Sequence, residues 1–153
     1  MSYSVCRVNW EQAAPLLRNL REKVFICEWR IPKKVEFDRK DRQAFHMLVC
    51  DDISQEPIAT GRILPTGEIS RIAVLNSYRK DEIVELVLSG LIEIAKELEL
   101  KEVFINSPLE NVHYFSQNSF QTAGAVYMEA GMPRQKMTCL IENLSVAKFY
   151  LSH

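Results

Sequence analysis

Glycine is scarce in this chain, with five among 153 residues, and they are dispersed, so no run of small residues stands ready to cradle a phosphate. Cysteine is equally thin. Cys6, Cys27, Cys50 and Cys139 lie far apart, with no CxxC and no neighbouring histidine pair, which argues against a metal or redox motif and for reduced, mostly buried thiols. Charge of one sign is missing too: the formal net charge is -1, leaving no basic field for nucleic acid and no polybasic face for anionic lipid. No stretch approaches the ~20 apolar residues of a membrane span, and MSYSVCRVNWEQ lacks the charged-then-apolar pattern of a secretion signal. The expected location is the cytoplasm. Repeats, low-complexity tracts and Pro/Gly/Ser linkers are also absent.

What is there is ordinary globular material, 47% hydrophobic and 25% charged, at a length that suits one domain over residues 1–153. Ser4 to Asn9 alternates as a strand, and Ala13 to Glu28 places Leu16, Leu17, Leu20, Val24 and Phe25 at helical spacing. Ile31 to Arg42, with Pro32 and many charges, reads as a surface loop or broken helix. Three apolar runs follow, AFHMLVCDD, EPIATGRILPT and GEISRIAVLN, separated by short turns of which Thr66-Gly67 is the tighter, a pattern that suits an antiparallel meander. The surest helix is Asp81 to Leu100, with Ile83, Leu86, Val87, Leu91, Ile94 and Leu98 on one face. KEVFINS reads as a buried strand, LENVHYFSQNSF as a short helix, and FQTAGAVYMEAG and RQKMTCLIEN as two closing strands. The order βαβββαβαββ implies an α/β (α+β) fold, a mixed, mostly antiparallel sheet flanked by helices, with a right-handed parallel crossover from Glu68 to Asn106.

The segments LREKVFICE, VEFDRKDRQAFH, ATGRILP, ISRIAVLNSYR and YMEAGMPRQKM, in this order and over nearly the whole chain, resemble the GNAT acyl-CoA N-acyltransferases and in particular their ElaA-like branch. Such enzymes move an acyl group from coenzyme A to an amine. The resemblance implies a donor of acetyl-CoA or another acyl-CoA, a small-molecule amine as acceptor, no metal, and direct attack on the thioester. It further implies that backbone groups of Ile72, Ala73 and Val74 pair with the pantetheine arm, and that the turn Arg79, Lys80, Asp81, Glu82, Ile83 and Val84 holds the pyrophosphate at a helix N-terminus.

That turn departs from the family pattern. Arg79 is kept, but Glu82 and Val84 replace small residues, and Asp81 and Glu82 would stand near a dianion, where like charges cost on the order of 1–4 kcal/mol each at surface dielectrics. The family's proton-donating tyrosine falls on Phe115. The neighbouring Tyr114 is the catalytic candidate to replace it, although a helix places it about 100° away, and Tyr127 is a remote one; both also read as half-buried aromatics with a wet hydroxyl. Arg134 stands where the branch has histidine. For the base that deprotonates the amine, Glu36, Asp38, Asp41, His46 and Glu129 are the candidates, with His46 equally readable as a structural strand-edge residue and the acids as a solvated loop.

Two other readings stay open. Arg21, Phe25, Trp29, Asp38, Asp41, Arg62, Glu68 and Arg71 fall in the order of the acyl-homoserine-lactone synthases, which would imply an acyl-carrier-protein donor whose single phosphate needs no pyrophosphate cradle. The third reading is a GNAT-like binding or regulatory module without catalysis, in which Arg62, Glu68 and Arg71 form only surface ion pairs. A homodimer is the default assembly.

Overall fold

The computed structural model describes residues 2–28, 30 and 37–143. Strand β1 (Tyr3–Val8) leads into helix α1 (Trp10–Arg21), which begins ahead of the expected Ala13 because the Asn9 side chain accepts from the Gln12 backbone N–H at 2.9 Å. The helix expected to reach Glu28 gives way after Arg21 to a π-helical turn, Glu22–Glu28, which buries Val24 and Phe25. A 3-10 turn, Arg39–Arg42, then precedes β2 (Phe45–Asp51), β3 (Pro57–Ile63) and β4 (Glu68–Val74), the antiparallel meander read from the turns. At the β3–β4 turn Gly67 takes φ 99° and approaches Glu102 so closely that a Cβ would lie 2.7 Å from its carbonyl oxygen.

Helix α2 (Asp81–Glu97) crosses back to β5 (Glu102–Pro108), and the pair β4–β5 is parallel, as the crossover requires. A short helix α3 (Val112–Gln117) follows. The expected strand from Phe120 to Gly131 is instead two short ones, β6 (Gln121–Thr122) and β7 (Tyr127–Glu129), each pairing with β8 (Met132–Leu140). Along the sheet the order is β1-β2-β3-β4-β5-β8-β6, with β7 beside β8. Among the described residues no helix is long and apolar enough to cross a membrane.

Strand alternation sorts the core into two layers. Ile83, Leu86, Val87, Leu91 and Ile94 of α2 pack with Met47, Val49, Ile58, Ile63 and Ile69 on one face of the sheet, while Trp10, Ala13, Leu17 and Leu20 of α1 cover Leu48 on the other. Helix α2 lies close over Gly61, where an added Cβ would stand 2.6 Å from Val87 Cγ1 and 3.3 Å from Ile72 Cγ1. Both neighbours are β-branched and stiff. Gly61→Ala is therefore expected to cost roughly 1–3 kcal/mol through overpacking, read as a lower urea midpoint. An unchanged midpoint would mean that α2 moves off β3 without cost.

In β4 the alternation breaks at one place. Ile69 faces the α2 layer and Ser70 the opposite side, where Arg62 Nε donates to its hydroxyl at 3.0 Å. A regular strand would then return Arg71 to the α2 layer. Instead Arg71 adopts φ 55°, the pairing slips between Thr60 and Arg62, and Ile72 takes the core position. This β-bulge carries a non-glycine residue in left-handed conformation, a local cost of order 1–3 kcal/mol that recurs near functional sites.

Candidate active site

Strands β4 and β5 pair only at Glu68 with Phe104 and Ile69 with Ile105. Beyond these rungs β4 continues beside β3 and β5 beside β8, so the two diverge, and a cavity of about 740 Å³ opens between them. Its walls are the outer part of β4, the start of α2, the region of α3 and the β7–β8 hairpin. Among the described residues, Ile72, Val74, Arg79, Lys80, Asp81 and Val84 line it, together with Asp38, Tyr114 and Glu129.

An ionic chain lies along the inner side of β4. Arg21 Nη1 and Nη2 donate to the two oxygens of Asp41 at 2.7 and 3.3 Å, and Arg62 Nη1 donates to Asp41 Oδ1 at 2.8 Å. The same Arg62 fork reaches Asp38 at 2.8 and 3.0 Å, and Arg71 Nη2 joins Asp38 at 3.3 Å. Arg21, Asp41 and Arg62 are almost wholly buried, at 1, 1 and 2% exposure, so these are not surface ion pairs. Partial burial works against the Asp38 charge, but the Arg62 guanidinium, helped by Arg71, holds its carboxyl at about 2. A carboxylate so tied is a clamp rather than a base.

His46 belongs to the same buried layer. It is 1% exposed, its Nε2 lies 2.9 Å from the Asp41 carbonyl oxygen, and its ring stands against Trp10 at 5.5 Å between centroids. Burial pushes its pKa below the ordinary imidazole value, so it stays neutral and supports the Asp41 turn. Asp41, walled in by two arginines, is likewise structural. Glu129, on β7, is largely exposed and lies 3.2 Å from Arg134 Nε. Glu36 lies outside the described residues.

At the start of α2 the geometry answers the question raised by the acidic turn. Lys80 is the N-cap and makes no side-chain capping bond, and Asp81 and Glu82 occupy the first turn, complementing the helix dipole. Asp81 borders the cavity whereas Glu82 does not. Arg79 is engaged: its Nη1 donates to Glu28 Oε1 at 2.8 Å, its Nη2 pairs with the other Glu28 oxygen, and its Nε donates to the Val74 carbonyl at 3.1 Å. The guanidinium in turn holds the Glu28 carboxyl below its usual pKa. Ile83 is fully buried in the α2 layer, and the Ala73 side chain packs onto Val24 and Phe25, so neither presents its side chain to a ligand.

Tyr114 departs most from expectation. Its hydroxyl is buried in the cavity wall and makes no hydrogen bond, rather than being the wet tip of a half-buried aromatic. Burial, reinforced by the charges of Glu85 and Asp81, raises its pKa well above the ordinary phenol value. Phe115 is 6% exposed and packs edge-on between Tyr114 and Phe120. Tyr127 is half-exposed on β7.

The sequence reading of a donor site did not include Ser70, Asn106 or Lys40, which also border the cavity. Asn106 Nδ2 donates to Glu68 Oε1 at 3.0 Å, and its carbonyl accepts from Arg134 Nη1 at 3.1 Å, so one β5 residue ties β4 to β8 at the cavity floor. Alternation in KEVFINS marks Asn106 as opposite to the buried Ile105, which was the available signal.

No family model matches the chain. It is 31% identical over 141 residues to the uncharacterised protein YyaT of Bacillus subtilis, covering 88% of this chain and 94% of that one. It is 24% identical over 122 residues to YjcF of the same organism, named as an N-acetyltransferase, covering 77% and 86%. Among solved structures, Escherichia coli ElaA matches with a TM-score of 0.77 at 20% identity, over 89% of this chain and 99% of that one. The CoA-dependent acyl-homoserine lactone synthase BjaI also matches, with a TM-score of 0.77 at 14% identity, over 97% and 88%.

Proposed function

The chain has the fold of the GNAT acyltransferases, and we propose that it transfers an acyl group from acyl-CoA to the amine of a small molecule, by direct attack on the thioester. The observation that carries this reading is the parting of β4 from β5 around a cavity whose wall holds an unpartnered tyrosine hydroxyl.

The residues fit such a donor in most respects. The ladder between β4 and β5 ends at Ile69, which suits strand-like addition of a pantetheine amide chain. Lys80 and the opening N–H groups of α2 suit a phosphate. The thioester supplies an activated acyl carbon and a thiolate leaving group. As the amine nitrogen forms its bond to that carbon, the carbon–sulfur bond breaks, the Tyr114 hydroxyl gives its proton to the sulfur, and the amine loses one of its own. Glu68, on the cavity floor and oriented by Asn106, is the carboxylate that stands to receive the amine proton, directly or through water. Asp38, Asp41 and His46 hold the floor instead.

Glu28 is the misfit, because it occupies the arginine that a phosphate would use. Calorimetric titration with acetyl-CoA tests the reading. Donor binding is expected, weakened at least tenfold by Arg79→Ala and tightened roughly tenfold by Glu28→Gln, since that substitution removes the carboxylate charge that competes with a phosphate for the Arg79 guanidinium. Silence up to millimolar acetyl-CoA would sink the reading. Binding of phosphopantetheine without acetyl-CoA would instead favour an acyl-carrier-protein donor.

A further inference from the structure

The charge of the cavity constrains which amine enters it. Leave aside Arg79, Lys80 and Asp81 at the start of α2. Among the remaining described lining residues the cations are Arg30, Lys40, Arg62, Arg71 and Arg134. The carboxylates are Asp38, Glu68 and Glu129. The balance is positive by two charges even though the reaction consumes an amine that is a cation in water. A purely cationic acceptor would enter against this field, which favours ligands that carry negative charge.

One of the cations is incompletely satisfied. Arg134 is the third residue of β8, opposite Pro108 of β5 and Tyr127 of β7, with its side chain one-fifth exposed. Its Nη1 donates to the Asn106 carbonyl, whereas its Nε, buried in the wall, has no hydrogen-bond acceptor. Glu129 Oε2 is 3.2 Å from that Nε, near enough for an ion pair but not aligned as a hydrogen bond, and the Glu129 side chain is 57% exposed. An exposed, misaligned partner holds an arginine weakly. A guanidinium edge offers two parallel N–H groups at the spacing of the two oxygens of a carboxylate, a match that a lysine or histidine cannot make.

We propose that the acceptor is an amine bearing its own carboxylate, an amino acid or a compound of that class, and that the Nε edge of Arg134 receives the carboxylate. The inference rests on the acyl-transfer reading. Glu68, which shares Asn106 with Arg134, then faces the amine end of the same molecule. The weak Glu129 contact is displaced when the ligand docks.

The test uses the wild-type protein, acetyl-CoA and three matched sets of acceptors: free amino acids, their methyl esters and the corresponding decarboxylated amines, with release of the coenzyme A thiol as readout. Amino acids are expected to exceed both other sets by tenfold or more in kcat/KM. Arg134→Gln is expected to raise KM for the amino acid tenfold or more and to leave KM for the ester within about twofold, erasing the preference. If esters or decarboxylated amines react as well as amino acids, or if Arg134→Gln preserves the preference, the carboxylate assignment is overturned while acyl transfer stands. Acetyl-CoA binding with no turnover of any acceptor overturns both.

Discussion

Tyr114→Phe is expected to abolish most acyl transfer without weakening the protein. The hydroxyl is buried and makes no hydrogen bond, so the folded state carries its desolvation without return. A buried polar group left unsatisfied costs about 1–3 kcal/mol, and replacing it by hydrogen should leave the melting temperature unchanged or raise it. Catalysis moves the opposite way. Protonation of a leaving group by a positioned acid contributes roughly 10²–10⁴ in rate, and that is the expected fall in kcat, with donor affinity retained. The pH profile adds a check. Because burial raises the phenol above its usual value of 10.0, Tyr114 stays protonated across the working range, and no alkaline limb below about that pH should belong to it. A Tyr114→Phe protein that keeps its rate within threefold would remove the tyrosine from the chemistry. One that melts earlier would show that the hydroxyl has a partner in solution.

Asp41 is where substitution should hurt stability most. Its carboxylate lies between Arg21 and Arg62, all three nearly inaccessible to water, and its loss leaves two guanidinium groups buried with one fewer counter-charge. Removing one partner of a buried ion pair typically costs 3–5 kcal/mol, a large part of the 5–15 kcal/mol that holds an ordinary domain together. Asp41→Asn is expected to lose that much in chemical denaturation, and a loss below 1 kcal/mol would show that the network is dispensable. Asp38, at the rim of the same chain, gives a pH signature. Its carboxyl is held at about 2 in the folded protein against an ordinary 3.8, so the folded state binds the proton less readily than the unfolded one. The stability that follows is complete above about pH 4 and drains away as the pH falls toward 2. In Asp38→Asn, melting curves should lose this part of their acid dependence.

These two side chains also show where sequence reasoning reached and where it stopped. The 3.6-residue pattern of Ile83, Leu86, Val87, Leu91 and Ile94 was sufficient for α2, because helix periodicity and burial are local in the chain. The meander followed from turn chemistry for the same reason. Asp38 and Asp41 were readable as a solvated acidic loop because their partners are distant in sequence: Arg21 is 20 positions from Asp41, and Arg62 is 24 from Asp38. The burial of the Tyr114 hydroxyl was not legible. The helix that carries it, Val112–Gln117, sets it about 100° from Phe115, and whether a hydroxyl at that angle meets water or a cavity wall is decided by elements far away in sequence. The bulge at Arg71 left no trace in the sequence, since nothing in EISRIAV marks a non-glycine residue for positive φ. Arg79 had a partner that only the π-helical turn brings near, and no periodicity argument reaches across 51 positions.

The short ladder between β4 and β5 has a consequence for motion as well as for shape. The sheet is two leaves, β1 to β4 and β5 to β8, joined by a pair of rungs, by the Phe104 N–H bond to the Gly67 carbonyl and by the Asn106 bond to Glu68, with α2 packed chiefly on the first leaf. Each leaf is antiparallel and laced along most of its length, so backbone opening should be cheapest at the seam rather than within either leaf. Amide hydrogen exchange would then divide the molecule along a line that burial alone does not draw. Protons inside β2, β3 and β8 should exchange only with global unfolding, while those at the mouth of the seam escape earlier, in a partial opening that widens the gap between the leaves.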